Sequence, residues 1–379
     1  MTYNLPSDYF KVLLHLFVRF CLLFLLDIIS EMAKFHKLLI KRIERETTEA
    51  VSILFDIPKP LKENFSFKAG QYVTLKKEID SEVIRRAYSI CSSPRSGDLK
   101  VAIKAVEKGK FSIFAITQLK QGDVLEVSEP EGKFILAPES GKAYIGFAAG
   151  SGITPVLSMI KATLEDSEAT FTLVYGNRNI DSTIFFDELS DLKNKYKERF
   201  HIHYVFSRER NEKAQFGRID EKQVNYFTKE VFSGTNFDQV FLCGPEEMIN
   251  AVSETLQENG VNKSIIKYEL FTVSSSEKEN THQIKEGQTE ITVLLDDDEA
   301  TFTMNQSDTI LAAGLRNKLD IPYSCQGGVC SSCIAKVTQG KAVMTKNAVL
   351  TDDELEEGIV LTCVAHPTTS EISVDYDDV

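Results

Sequence analysis

Four cysteines near the carboxy terminus constrain this chain more than any other feature: Cys325-x4-Cys330-x2-Cys333, and then Cys363 after 29 intervening residues. That is the spacing of a loop that binds a [2Fe–2S] cluster. The small residues Gly327, Gly328, Ser331 and Ser332 let three sulfurs turn inward. They also let backbone N–H groups approach the cluster, where such hydrogen bonds help set its potential. A zinc site with four cysteine ligands is the alternative, but such sites usually pair two Cys-x2-Cys knuckles and only one is present. A histidine-ligated cluster does not fit, because the loop holds no His and His366 stands alone. The other three cysteines, Cys21, Cys91 and Cys243, are scattered, so neither a disulfide framework nor a secreted protein is indicated, and a cytoplasmic setting is expected.

The cluster motif sits in an acidic module. From Thr289 to Val379 there are 16 acidic and 5 basic residues, a net of −11, out of −13 for the whole chain. A nucleic-acid binder needs a basic footprint, so that class is excluded. The charge instead predicts docking against a basic patch on an acceptor protein. At about 100–200 residues per domain, the chain holds two or three domains.

Short β-rich runs at 51–55, 73–75 and 101–103, separated by turns such as Lys68-Ala69-Gly70, predict a β-barrel over residues 32–137. From Ala143 strands alternate with helical patterns, which predicts a doubly wound parallel sheet over 138–273. A polar stretch at 274–288 reads as a linker, and 289–379 as an α+β module of the β-grasp type. The run Asp296-Asp297-Asp298-Glu299 reads as a solvated turn, and His201 and His203 as structural residues on a strand.

Ahead of these, Val12 to Ser30 is apolar at 15 of 19 positions. Its length suits a membrane span, but Arg19 and Asp27 cost up to about 3 kcal/mol each against roughly 6 kcal/mol of favourable insertion. Residues 1–31 are read as an extension upstream of a domain that starts near Met32; the alternatives are a membrane-associated helix through 12–30 and a soluble packing helix.

Two further motifs carry chemistry. Ala149-Gly150-Ser151-Gly152-Ile153-Thr154-Pro155 follows a strand and opens a helix, the context in which glycines bring backbone N–H groups to a pyrophosphate. Arg86-Ala87-Tyr88-Ser89 offers a phosphate partner, a planar ring and a hydroxyl. Ser207 and Arg208, after a strand ending at Phe206, suit a 2′-phosphate and point to NADPH over NADH, with Arg178 as a second contact and Glu209 as the residue that opposes this reading.

Taken in order, Arg86-Ala87-Tyr88-Ser89, Gly150-Ser151-Gly152-Ile153-Thr154-Pro155 and Cys243-Gly244-Pro245 resemble the motifs of the ferredoxin–NADP reductase superfamily. With a plant-type ferredoxin module appended, the chain is similar to oxygenase reductases. Among these it looks like the reductases of phenylacetyl-CoA epoxidases, over roughly Met32 to Val379. The resemblance implies that Arg86 holds the FAD pyrophosphate, Ala87 is a cofactor-binding residue of the same motif, Tyr88 stacks on the flavin, Ser89 lies near its N5, and Ser112 in Lys108-Gly109-Lys110-Phe111-Ser112 touches its phosphates. It implies that Gly150, Gly152 and Thr154 cradle the nicotinamide-cofactor pyrophosphate. Cys243 and Glu269 would lie beside the nicotinamide, with Phe271 over the flavin. Electrons would then run from NADPH through FAD and the cluster to an acceptor, with the cluster near roughly −400 mV. The implied acceptor is a di-iron oxygenase such as that epoxidase; another ring hydroxylase or a membrane fatty-acid desaturase is the alternative.

Overall fold

The computed structural model describes residues 35–271 and 286–379. The apolar run at 12–30, the start near Met32 and residues 274–285 of the expected 274–288 linker lie outside the described residues, and the last residue of that linker, Gln288, already opens a strand. No described helix is long and apolar enough to cross a membrane.

The first unit is an antiparallel sheet of β1 (Phe35–Thr47), β2 (Ala50–Asp56), β3 (Tyr72–Ile79), β4 (Glu82–Ser89), β5 (Leu99–Lys104) and β6 (Val124–Ser128). The order is β4-β3-β6-β1-β2-β5, and a bridge between Ile90 and Val101 joins the two edges into a barrel. Alternating residues such as Val73 and Leu75, Val101 and Ile103, Leu125 and Val127 fill the interior. The β3–β4 hairpin turns on Asp80 and Ser81, both at positive φ as a tight two-residue turn demands. An eight-residue helix, Lys110–Thr117, buries Phe111 and Ala115 in the same core. Its short apolar stretch carries no sustained helical period, so nothing in the sequence announces it.

The second unit is a parallel sheet of β7 (Ala143–Ala149), β8 (Thr170–Asn177), β9 (Phe200–Phe206), β10 (Ala214–Phe216), β11 (Gln239–Gly244) and β12 (Ile266–Leu270). Its order, β10-β9-β8-β7-β11-β12, places the topological switch point between β7 and β11, where open α/β sheets bind ligands. The helix Ile153–Asp166 is buried from Ile153 to Leu164, because it is wedged between this sheet and the barrel. Its polar residues are bonded across that boundary: Ser158 Oγ donates to Ser92 O at 2.8 Å, and Lys161 Nζ to Cys91 O at 2.9 Å. Barrel residues Ala69, Ala102 and Phe134 share one apolar cluster with Val156 and Ile160. At about 1.5–3 kcal/mol per buried large side chain, this interface fixes the two units together.

The third unit contains β13 (Gln288–Leu295), β14 (Asp298–Asn305), β15 (Ile334–Gln339), β16 (Ala342–Met344), β17 (Ile359–Leu361), β18 (Ala365–Pro367) and β19 (Glu371–Asp375). The main sheet runs β14-β13-β19-β15-β17, with β16-β18 as a small ribbon. The helix Ile310–Arg316 packs Ile310, Leu311 and Ala313 into the core of this unit. The hairpin between β13 and β14 turns on Asp296 and Asp297, which explains the acidic run.

Candidate functional site

The Arg86–Ser89 motif forms the end of β4, so its side chains alternate. Arg86 is exposed and donates from Nη1 to Arg85 O at 2.7 Å, whereas Ala87 faces the other way and packs half-buried. Tyr88 shares the face of Arg86 and lies 5.7 Å from the Phe111 ring; burial holds its hydroxyl protonated. Beside the hairpin of β3 and β4 lies a cleft of about 510 Å³, bounded by Glu78, Asp80, Lys108 and Lys110. The helix Lys110–Thr117 starts at this cleft, so its first N–H groups lack intrahelical acceptors and suit an anion. Lys110 is paired with Glu82 and two carboxylates share the lining, so the free N–H groups of the helix, with Lys108, are what suit the phosphate end of FAD. The Ser112 hydroxyl accepts from Val106 N at 3.1 Å and donates to Gly109 O at 3.2 Å, so it braces the turn that starts the helix.

Ser89, expected near the flavin N5, converges with Cys243 and Glu269, expected beside the nicotinamide. Parallel pairing of β11 with β12 sets Cys243 directly opposite Glu269, and Ser89 Oγ donates to Glu269 Oε2 at 3.3 Å. Burial pushes the Glu269 carboxyl up to about 8, with the Ser89 hydrogen bond opposing. Burial, and then the charge of Glu269, push the Cys243 thiol well above its ordinary value. Glu269 is protonated below about pH 8 and ionised above it, so the rate of flavin reduction should change through an apparent pKa near 8. Stopped-flow rates from pH 6 to 9.5 test this, and Glu269→Gln should flatten the profile. Phe271, just beyond β12, is half-buried against the apolar cluster that includes Cys243.

The glycine turn starts with Gly150 at φ +55, and Tyr175 OH donates to its carbonyl at 2.9 Å. Gly152 lies so close to β11 that a Cβ would sit 2.1 Å from Cys243 O. Thr154 is buried and donates to Ser151 O at 3.0 Å, so its hydroxyl closes the turn. A residue that sequence reasoning missed completes this corner. Lys104, at the end of β5 in the barrel, brings Nζ to 3.5 Å from where a Gly150 Cβ would stand. Burial and the nearby Arg178 lower its pKa. Nothing local marks Lys104, because only the packing of barrel on sheet brings it to the turn.

At the ends of β8 and β9, Arg208 N donates to Arg178 O at 2.8 Å and Ser207 N to Asn177 O at 3.0 Å. The three expected 2′-phosphate residues thus share one corner, but Arg178 is held by both carboxylate oxygens of Glu49, at 3.2 and 2.8 Å. Glu209 is likewise engaged, accepting from Ile180 N at 3.1 Å and Asn211 Nδ2 at 3.3 Å.

The cysteines meet at the edge of the third unit. Cys325, Cys330 and Cys333 lie on the loop before β15, and Cys363 on the turn between β17 and β18. Thr362 joins the two, its N and its Oγ1 each donating to Cys333 O at 3.0 Å. Gly327 N donates to Cys325 Sγ at 3.4 Å, so a backbone N–H already faces one of the sulfurs. Four cysteines, three on one loop and one on the neighbouring turn, supply a donor set of thiols alone that fits the ligands of a [2Fe–2S] cluster.

Three domain families match the chain: the oxidoreductase FAD-binding domain at residues 37–135, the oxidoreductase NAD-binding domain at 147–254, and the 2Fe-2S iron-sulfur cluster binding domain at 293–368. The chain is 39% identical to a component of the 1,2-phenylacetyl-CoA epoxidase of Escherichia coli (strain K12), over 91% of this chain and 99% of that protein. It is 30% identical to the ferredoxin reductase component of the 3-ketosteroid-9-alpha-monooxygenase of Rhodococcus rhodochrous, over 89% and 96% of the two chains. Phthalate dioxygenase reductase has the same fold, with a TM-score of 0.58 at 24% identity, over 90% of this chain and 98% of that one.

Proposed function

Because this chain belongs to the oxygenase reductases that join FAD-binding, NAD-binding and [2Fe–2S] domains, we propose that it draws electrons from NADPH in the cytoplasm and delivers them to a di-iron oxygenase, phenylacetyl-CoA epoxidase. The observation that carries the choice of acceptor is the 39% identity with the epoxidase component over 91% of this chain. When bound, FAD and the cluster convert a two-electron hydride into single electrons. The residues of the chain position and insulate that chemistry. Arg86 and the N-terminus of the helix Lys110–Thr117 hold the FAD phosphates, and the Tyr88 ring covers the flavin. Ser89 and Glu269 orient the nicotinamide against it, Cys243 walls the pocket, and Phe271 borders it. Gly150 and Gly152, with Lys104 across the domain boundary, hold the nucleotide pyrophosphate.

Ser207 and Arg208 take the 2′-phosphate. Glu209, which would favour NADH if it met the ribose hydroxyls, already has partners at Ile180 and Asn211. The acidic third unit, with Glu299, Asp375 and Asp378 on its surface, steers onto a basic patch of the acceptor. Reconstitution with the oxygenase components of a phenylacetyl-CoA epoxidase tests the proposal. Expected are epoxide formation coupled to NADPH oxidation, a kcat/KM for NADPH above that for NADH, and a rate that falls as salt rises. Absence of product, with turnover restored by a different oxygenase or by a membrane desaturase, would overturn the choice of acceptor.

A further inference from the structure

The cluster-binding loop is seated on the barrel by a buried polar contact. Tyr72, the first residue of β3, is 4% exposed. Its hydroxyl hydrogen-bonds Ser332 Oγ at 3.0 Å and Ser331 Oγ at 3.2 Å, the two residues between Cys330 and Cys333. Ser332 Oγ also donates to Glu131 Oε1 at 3.0 Å, and Thr74 Oγ1 donates to the same oxygen at 3.2 Å. The backbones of Tyr72 and Glu131 exchange two hydrogen bonds, each of 2.9 Å. Gly132, at φ +116, clears the space for the ring, since a Cβ there would lie 2.9 Å from it. On the other side, Tyr72 pairs directly with Ser89 across β3 and β4, and Ser89 holds Glu269. One residue therefore touches the loop between two cluster cysteines and is the cross-strand neighbour of the hydride-transfer corner.

Other contacts agree on this seating without supplying its precision. Arg85 pairs with Asp320 at 2.7 Å and lies 4.6 Å from the Tyr323 ring, just ahead of Cys325. Val329 packs into the apolar cluster that contains Met248 of the nucleotide domain.

We propose that Tyr72 is the positioning residue that seats the cluster loop on the flavin-binding barrel and thereby sets the distance over which each electron passes from flavin to cluster. It rests on the reading that Cys325, Cys330, Cys333 and Cys363 hold the cluster. Positioning to within about half an ångström is what a second layer of hydrogen bonds provides, and Tyr72 has the rigid ring and the two partners to provide it.

The test uses the full-length holoprotein carrying Tyr72→Phe, with Ser332→Ala altering the same contact from the loop. Stopped-flow mixing with NADPH separates flavin reduction from cluster reduction, and amide hydrogen exchange over 329–333 reports the seating itself. Expected are flavin reduction within about twofold of the parent, cluster reduction slowed about tenfold, and exchange of the loop faster by about tenfold, as the loss of two hydrogen bonds allows. Unchanged exchange and cluster reduction would overturn the proposal. So would an equal fall in flavin reduction, which would assign Tyr72 to the flavin site, or loss of the cluster's paramagnetic signal in the reduced variant, which would make Tyr72 a folding residue. If Tyr72→Phe does not accumulate, Ser332→Ala is read by the same criteria. A parent protein that binds no iron would instead overturn the cluster reading on which the proposal stands.

Discussion

Replacing Cys333 with serine should abolish electron delivery to the oxygenase while pyridine nucleotide still reduces the flavin. Cys333 is 1% exposed, and its carbonyl anchors Thr362, the neighbour of Cys363. Its loss removes one of the four thiolates that would hold the cluster and alters the residue whose carbonyl ties down the Cys363 turn. Changes to residues that merely support metal ligands cost about 10–100-fold, so loss of a ligand should lower oxygenase turnover by about 100-fold or more. Iron content and visible absorption should fall to the level of the flavin alone. Ferricyanide reduction, which takes electrons directly from flavin, should stay within about twofold of the parent. The flavin and nucleotide residues lie in the other two units and their shared interface, which is why the two activities should part. Retention of both the cluster and oxygenase turnover would remove Cys333 from the ligand set.

The second large effect is expected from Gly152→Ala. The added Cβ would stand 2.1 Å from Cys243 O, 2.4 Å from Cys243 C and 2.8 Å from Gly244 N. All three are backbone atoms of β11, so no rotamer change relieves the overlap and the glycine turn must move away from the strand. Overpacking of this kind costs about 1–3 kcal/mol or more. The displaced turn would also misplace the N–H groups meant for the nucleotide pyrophosphate. A lowered thermal midpoint and a KM for NADPH raised more than about tenfold are expected. Gly150→Ala is the control. Its Cβ would meet only the end of the Lys104 side chain at 3.5 Å, leaving the positive φ as the main penalty, about 1–2 kcal/mol. Equal behaviour of the two variants would show that close approach to β11 is not what demands glycine.

The parts of the site that were legible in the sequence are those carried by short, contiguous patterns. Cysteine spacing announces the cluster because one loop must supply three ligands, and the glycine turn announces the nucleotide because strand, turn and helix are consecutive. Cys243 and Glu269 could be named from their motifs, but their direct opposition depends on β11 and β12 being neighbours in register. Lys104 and Tyr72 were not legible. Each reaches its partner across a domain boundary, and neither has an unusual sequence neighbourhood. Thr154, Ser112 and Arg178 are of types that suit ligand contact, and the structure adds the local hydrogen bonds or the Glu49 pair that already engage them. The strand Ala214–Phe216 was missed because three residues are too short to show a period, and its edge position comes from pairing with β9.

The inward-facing cluster loop also bears on leakage. Val329, Cys330, Ser332 and Cys333 are all less than a tenth exposed, covered by the barrel on one side and the nucleotide domain on the other. Dissolved dioxygen competes with the intended acceptor for any low-potential electron that it can reach. A carrier that is filled with its reactive edge against its own hull wastes little to that competitor, and the same cover keeps the acceptor from drawing charge through that edge. Cys325 and Ser331 are less covered than Cys330 and Cys333, so an acceptor would meet the loop from their side.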